Sequence, residues 1–529
     1  MATPHPIPTS LPLHAARVSA STSNAAATGG AALPSSAPAT NATTTPVNIY
    51  GSFPAVSPWT APSFIAGAVL LAAALALSLP AIRTRIARGR RPSADAWQQG
   101  PVLSSRRTAA AAICLVAGAA FLVAGIFLLR GTGRVALTFS SHAMLAAEWR
   151  SYKARFVIST SSSTARTVDP SQGDITTSEA ESYTLLRAAW MDDQPTFDAN
   201  WQWTQQNLQR PDHLFSWLYG QRPDGTYGIL TARGGQNTAS DADSDIALSL
   251  LFAYARWQQP QYLAAAQQVI SSIWQHEVVY AAGKPYLAAD NLEQSSTSPV
   301  AAIDPSYLSP YAYRIFAAAD PSHPWNTLVD DSYAVLEASV TSTLDTPTTA
   351  DLPPDWMGIN KTTGAIVPLA TSTADTHYGY DAMRVPWRLA LDWQWNHDPR
   401  DQAILNRMGF LKGQWTQNGA LDAVYGHNGA PLGTYEAPAV YGGDIGYFLV
   451  SDPADAAAVY TQKLLILYDP GADDWRVPLG YYDANWAWFG TALYNGELPN
   501  LAASIPSSAF ANTVPTATGS STAATGTLP

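Results

Sequence analysis

From about Glu179 to Asn500 the apolar positions recur at helical spacing, in blocks separated by short loops rich in Gly, Pro, Asp and Asn. The clearest block is ASDADSDIALSLLFAYARW, residues 239–257, in which Ile246, Leu250, Leu251, Tyr254 and Trp257 share one face. The same spacing predicts helices over 178–191, 197–208, 243–258, 261–277, 305–319, 324–341, 381–395, 401–415, 453–467 and 485–495. No train of alternating strands accompanies them, so an α/β sheet is not expected. Antiparallel helices in one long run predict an all-α toroid or solenoid. A fixed repeat of about 34 or 40 residues is absent, which weighs against an ordinary solenoid.

Two further apolar blocks have no polar face at all. Phe64–Ile82 is uncharged and interrupted only by Ser78 and Pro80, and Thr108–Leu129 is an uncharged run of 22 residues. About 20 such residues match the hydrocarbon thickness of a bilayer, so both are read as transmembrane helices spanning 63–130 with their connection. That connection carries Arg83, Arg85, Arg88, Arg90, Arg91, Arg106 and Arg107 against Asp95, which assigns it to the cytoplasm and places everything after Gly131 outside. The expected location is therefore the cell membrane, multi-pass, with membrane lipid as a partner. Residues 1–62, where Arg17 is the only Lys, Arg, Asp or Glu, and residues 501–529 are too poor in core-forming side chains to offset ordering entropy, and are read as disordered tails. The folded outer domain is then 135–500.

Composition sharpens this. The net charge of −11 includes the basic loop, so the outer domain is more acidic still and nucleic acid is excluded as a partner. The single cysteine, Cys114, lies in the second apolar run, so no disulfide supports the fold. Sixteen of the 18 tryptophans fall between Trp149 and Trp488. Rings at that density fill a core or offer flat platforms to sugar faces.

Three acidic clusters carry the chemistry. Asp241, Asp243 and Asp245 run into the helix of the opening block. Calcium is not their purpose, since the loop positions for Gly and Glu hold Ile246 and Phe252. Ser240 or Asp241 can cap the helix, but one cap uses one carboxylate. In Thr177-Ser-Glu-Ala-Glu-Ser-Tyr183, Ser178 is read as the cap and Glu181 as its capping-box partner, which leaves Glu179 without a structural task. A carboxyl walled by apolar neighbours is held protonated near neutrality. In Tyr380-Asp-Ala-Met-Arg384, Asp381 and Arg384 share a helical face, and the guanidinium favours an ionised Asp381, as a general base requires.

These stretches resemble glycoside hydrolase family 8, inverting endo-β-1,4-glucanases and relatives, and among them the endoglucanases that accompany bacterial cellulose synthase. Ala239–Trp257 fits the family signature along its length, Ser178-Glu179 resembles its Ser-Glu-Gly, and Tyr380–Arg384 resembles its Tyr-Asp-Ala-x-Arg. Ala180 and Thr184 stand where the family has glycines. The resemblance implies an (α/α)6 barrel of six helical hairpins, of which ten helices are located above. It implies Glu179 as general acid, Asp381 as general base and Asp241 as the carboxylate that binds the distorted sugar. Tyr183, Trp217, Asp243, Tyr307, Trp356, Tyr380 and Arg384 are then substrate-binding or supporting positions, with Arg384 orienting Asp381, Tyr307 holding the water and Asp245 serving the helix terminus. It implies no metal and no cofactor, a β-linked polysaccharide as substrate and a polysaccharide synthase complex as a partner. Xylan, mixed-linkage β-glucan and chitosan remain open as substrates. So does a glycan-binding surface protein without catalysis, although binding alone needs neither Glu179 nor Asp381.

Overall fold

In the computed structural model, residues 141–369, 372 and 375–511 are described. Apart from the short helices Leu292–Ser295 and Ser507–Ala511, their helices run in the order α1 (Ser141–Phe156), α2 (Ser178–Trp190), α3 (Gln194–Asn207), α4 (Ser240–Trp257), α5 (Pro260–Glu277), α6 (Pro310–Ala319), α7 (Trp325–Thr341), α8 (Arg384–Asn396), α9 (Pro399–Arg407), α10 (Gly409–Asn418), α11 (Pro438–Ser451), α12 (Pro453–Val459) and α13 (Tyr481–Tyr494). Helices α2, α4, α11 and α13 bury residues on nearly every side. A helix without a wet face belongs inside a core. Together with α6 and α8 they form an inner ring in which each helix packs on the next. The ring closes where Tyr183 of α2 meets Trp486 and Phe489 of α13 at 5.9 and 5.2 Å, and Arg187 donates to Asn485 Oδ1 at 3.0 Å. Helices α3, α5, α7, α9 and α12 each back onto the inner helix before them, and α1 onto α13. This is the six-hairpin barrel that the family resemblance implied.

The two barrel helices that the periodicity missed are α1 and α11. Helix α11 contains Gly442, Gly443 and Gly446, which look like helix breakers in one dimension. In the barrel they let backbones touch. A Cβ on Gly442 would stand 2.0 Å from Trp486 O, on Gly443 2.0 Å from Met383 O, and on Gly446 2.2 Å from Pro386 O. Other helices differ from expectation, among them 453–467, where the α-helix stops at Val459 and gives way to π and 3-10 turns. The block at 381–395 begins its helix only at Arg384, leaving Asp381 in the preceding turn. The block at 305–319 is a 3-10 turn, Pro305–Tyr307, followed by α6, and the block at 401–415 breaks at Met408 into α9 and α10.

Short antiparallel strands line the loops. Strands β1 (Val157–Ser159) and β2 (Ala165–Thr167) pair, as do β3 (Thr176–Thr177), β4 (Leu218–Gln221) and β5 (Tyr227–Ile229), in the order β3-β4-β5. A third sheet has β7 (Met357–Asn360) between β6 (Val300–Ile303) and β8 (Ile366–Val367). It matters because β6 ends just before Asp304 and β7 begins just after Trp356.

The tail read as disordered from residue 501 is folded at its start. Leu501–Ser504 forms a 3-10 turn and Ser507–Ala511 a short helix, tied down by buried Ala502 and by Gln267 donating to Phe510 O at 3.3 Å. Residues 1–62, the two apolar spans with their arginine-rich connection and residues 512–529 lie outside the described residues. Among the described residues no helix is long and apolar enough to cross a membrane.

Candidate active site

Helix α2 starts where β3 ends, and its cap is Thr177, whose hydroxyl accepts from Ala180 N at 3.0 Å. The capping box read at Ser178 and Glu181 does not form. Glu181 points inward instead, accepting from Thr167 N at 2.7 Å and Asn200 Nδ2 at 2.9 Å, so it fixes β2 and α3 rather than the helix end. Glu179 is the residue of α2 that is least covered, with its side chain 18 % exposed.

Helix α4 starts without any side-chain cap, contrary to the reading of Ser240 or Asp241. Its three aspartates take three different partners. Asp241 reaches Arg384, and Asp245 makes a two-pronged pair with Arg388 at 3.1 and 2.9 Å instead of serving the helix terminus. Asp243 accepts from Phe215 N at 2.9 Å, and burial together with the neighbouring Glu277 carboxyl pushes its own carboxyl well above the usual range.

The centre of the arrangement is Arg384, 1 % exposed. Its Nη1 donates to Glu179 Oε2 at 3.1 Å and Asp241 Oδ2 at 3.3 Å, and its Nη2 to Asp381 Oδ1 at 2.7 Å and Asp304 Oδ2 at 3.3 Å. Arg384 Nη1 also reaches Tyr183 OH at 3.5 Å, and the guanidinium lies 5.3 Å from the centre of the Tyr307 ring. Asp381 Oδ2 accepts from the indole N–H of Trp356 at 3.1 Å. Tyr307 and Trp356 pack edge to face at 5.7 Å. The chain segments meeting here are separated by as many as 205 residues.

Two carboxylates of the site were not foreseen. Asp304 caps its own turn through Ser306 N at 2.8 Å while its other oxygen faces Arg384. Asp355 accepts from the backbone N–H groups of Gly379, Asp381 and Ala382 at 3.1, 3.0 and 2.7 Å, and so holds the turn that carries Asp381. Neither had a periodic signal, because the partners of one are backbone groups of a distant turn and of the other a distant arginine.

Four carboxyls share one guanidinium and a fifth, Asp355, holds the turn of Asp381, so not all of them can be ionised in a low-dielectric site. Burial pushes Glu179 up to about 8, against the pull of Arg384 and helped by Asp241 and Asp381. Burial pushes Asp241 up to about 6, with Arg384 and Arg388 opposing it. Asp381 is also raised by burial, but Arg384 and the Trp356 N–H both favour its ionised form. Asp304 and Asp355 are pushed well up by burial and by the neighbouring Asp381. Glu179, the most exposed and the most raised of those with a defined value, is thus set to hold a proton at neutral pH.

Three of the expected positions stand away from this cluster. Trp217 sits in an apolar cluster with Ile175, Leu218, Leu230, Ala239 and Ala242, and its ring N–H donates to Gly234 O at 2.9 Å. Its carbonyl accepts from Ser178 N at 3.0 Å, so it supports the start of α2. Tyr380 has its hydroxyl 3.2 Å from Tyr435 OH, and Asp243 holds Phe215 as above.

The profile of Glycosyl hydrolases family 8 matches residues 131–421. An endoglucanase of Cellulomonas uda is 29 % identical over 247 residues, 46 % of this chain and 62 % of the relative. Endoglucanase A of Acetivibrio thermocellus is 28 % identical over 323 residues, 58 % of this chain and 62 % of the relative. The chain thus spans somewhat under two thirds of the length of both. The crystal structure of an endo-1,4-D-glucanase from Vibrio fischeri superposes with a TM-score of 0.55 at 24 % identity, over 66 % of this chain and 94 % of that one, a likeness of fold. With the signature helix, the inner-ring carboxylates and a profile that covers more than half of the sequence all in agreement, the chain belongs to glycosyl hydrolases family 8.

Proposed function

We propose that the protein is an endo-β-1,4-glucanase that hydrolyses its glycosidic bond with inversion. The observation that carries this is the pair Glu179 and Asp381 held on different nitrogens of one buried arginine, with burial raising Glu179 and the Trp356 N–H favouring ionised Asp381. Glu179 delivers its proton to the leaving glycosidic oxygen. Asp381 takes a proton from water on the opposite face of the ring, and the water oxygen bonds to the anomeric carbon as the bond to the leaving oxygen breaks. Asp241 faces the positive charge that develops on the sugar, and Tyr307, beside both Arg384 and Trp356, is placed to orient the water. Arg384 sets the base, and Asp355 fixes its turn.

Inversion is tested by stereochemistry. An inverting pair leaves room for water between the base and the sugar, with carboxyls about 6.5–9.5 Å apart, whereas a retaining pair stands at about 5–5.5 Å. The α-anomer is expected first from a β-1,4-glucan, followed by NMR before mutarotation. Initial β-product or a trapped glycosyl-enzyme overturns the roles of Glu179 and Asp381.

The relatives named endoglucanases support a glucan as substrate over xylan or chitosan. The two uncharged runs and the arginine-rich connection support a membrane anchor with the barrel outside, a placement that suits service to an exopolysaccharide synthase. Protease added to intact cells should release the barrel, while a reporter at Ser93 stays protected. A protected barrel would refute the anchor.

A further inference from the structure

An open pocket of about 520 Å³ lies behind the strand that leads into Glu179, and none of its lining residues belongs to the Arg384 cluster. Its walls include Trp203 at the end of α3, Tyr219 on β4, Tyr227 on β5 and Arg166 on β2, with Gln206 and Asn207 at the rim. Four large apolar side chains are exposed among the described residues, and two of them, Tyr227 at 47 % and Ile158 at 38 %, line this one pocket. Apolar exposure gathered in one concave place marks a binding surface.

The pocket is built, not merely open. Trp203 meets Tyr219 edge to face at 5.0 Å, and Tyr219 lies nearly parallel to Tyr227 at 6.3 Å. The Arg166 guanidinium lies 5.6 and 5.4 Å from the centres of the two tyrosine rings. Arg166 itself is 5 % exposed, and its Nη1 donates to Asp174 O at 2.8 Å and Thr176 Oγ1 at 2.7 Å. The rings are therefore fixed before any ligand arrives, which lowers the entropy cost of binding.

The lining selects the ligand class. A polyanion needs several cations, and the pocket has one, nearly covered. A protein partner would need on the order of 1,000 Å² of matching surface, more than this pocket offers. A β-linked glucose unit fits, because its C–H faces are apolar and flat while its hydroxyls all point outward around the edge. Its faces would stack on the exposed Tyr227 ring beside Tyr219, and its hydroxyls would meet the amides of Gln206 and Asn207. We propose that this pocket is a second, non-catalytic binding site for a β-glucan chain. Tyr219 pairs in register with Thr176, and Thr177 caps the helix of Glu179, so the site stands one strand away from the acid.

The proposal rests on the β-glucan reading above, and the test keeps the two apart. The full chain carrying Glu179→Gln, to prevent cleavage, is titrated calorimetrically with hydroxyethyl cellulose and with cellotetraose. Adding Tyr227→Ala should weaken the long glucan on the order of tenfold, about 1.4 kcal/mol, and leave the tetramer unchanged, while Tyr227→Phe keeps parental affinity. Tyr227 is nearly half exposed, so its loss leaves the core intact. Unchanged affinity for the long glucan in Tyr227→Ala and in Tyr219→Ala overturns the second site alone. Equal loss for both ligands also overturns it, since that marks damage to the main groove. A parent that binds neither glucan overturns the glucanase reading and this one with it.

Discussion

At the scale of single residues, the site is governed by how few positive charges it contains. Arg384 serves Glu179, Asp241, Asp304 and Asp381 at once, so each carboxyl is ionised only to the extent that its neighbours are not. Burial and two acidic neighbours raise Glu179, and the paired N–H groups of Arg384 and Trp356 favour ionised Asp381. Glu179→Gln and Asp381→Asn should each lower turnover by a factor on the order of 10² or more, as general acid–base groups do. Glucan binding should survive in both. In the parent, kcat/KM should fall on the alkaline side with a midpoint near the value of about 8 set for Glu179. That limb must vanish in the residual activity of Glu179→Gln, and its persistence there would assign the proton to another group.

At the scale of elements, the barrel is held by close backbone approach as much as by side chains. Gly443 lets α11 rest on the Met383 carbonyl at the turn that delivers Asp381 and Arg384. Gly443→Ala should destabilise the fold by about 1–3 kcal/mol or more, measured by denaturant midpoint, because a carbonyl in a packed helix end cannot retreat. A parental midpoint would show that the helices are not so tightly seated. These same glycines explain what the sequence made legible. Helices with an apolar stripe, such as α5 and α7, were readable within a few residues because their periodicity is local. Helix α11 was not, since the reason for its glycines lies on α8 and α13. That Glu179, Asp381 and Arg384 belong to the site was legible through motifs, and the three do meet. Asp304 and Asp355 were not, because their work is to bind groups remote in the chain. Glu181 misled for the opposite reason, since a local capping pattern gave way to a buried bond with β2 and α3.

At the scale of the whole molecule, the barrel buries many carboxyls, and this couples its stability to pH. Burial raises Glu179, Glu181, Glu277, Asp401 and Asp444 each to about 8. In the unfolded chain such groups titrate near 3.8 to 4.5. Between those values the folded state binds more protons than the unfolded one, so stability is fully present below the unfolded values and declines as pH rises toward 8. Asp193, Asp320 and Asp398, lowered by their hydrogen-bonding partners, act the other way and lose their contribution only as pH falls below the ordinary carboxylate range. The melting temperature should therefore peak at mildly acidic pH and fall by several degrees on approach to pH 8. On the proposed mechanism Glu179 takes part in both function and this decline, because the proton it would deliver in catalysis is the one whose loss strains the fold. Glu179→Gln keeps the shape and cannot ionise. It should match the parent at pH 4, melt higher than the parent at pH 8, and be nearly inactive at both. Equal melting of the two chains across that range would mean that Glu179 carries no raised proton affinity, and would remove the basis for its role as the acid.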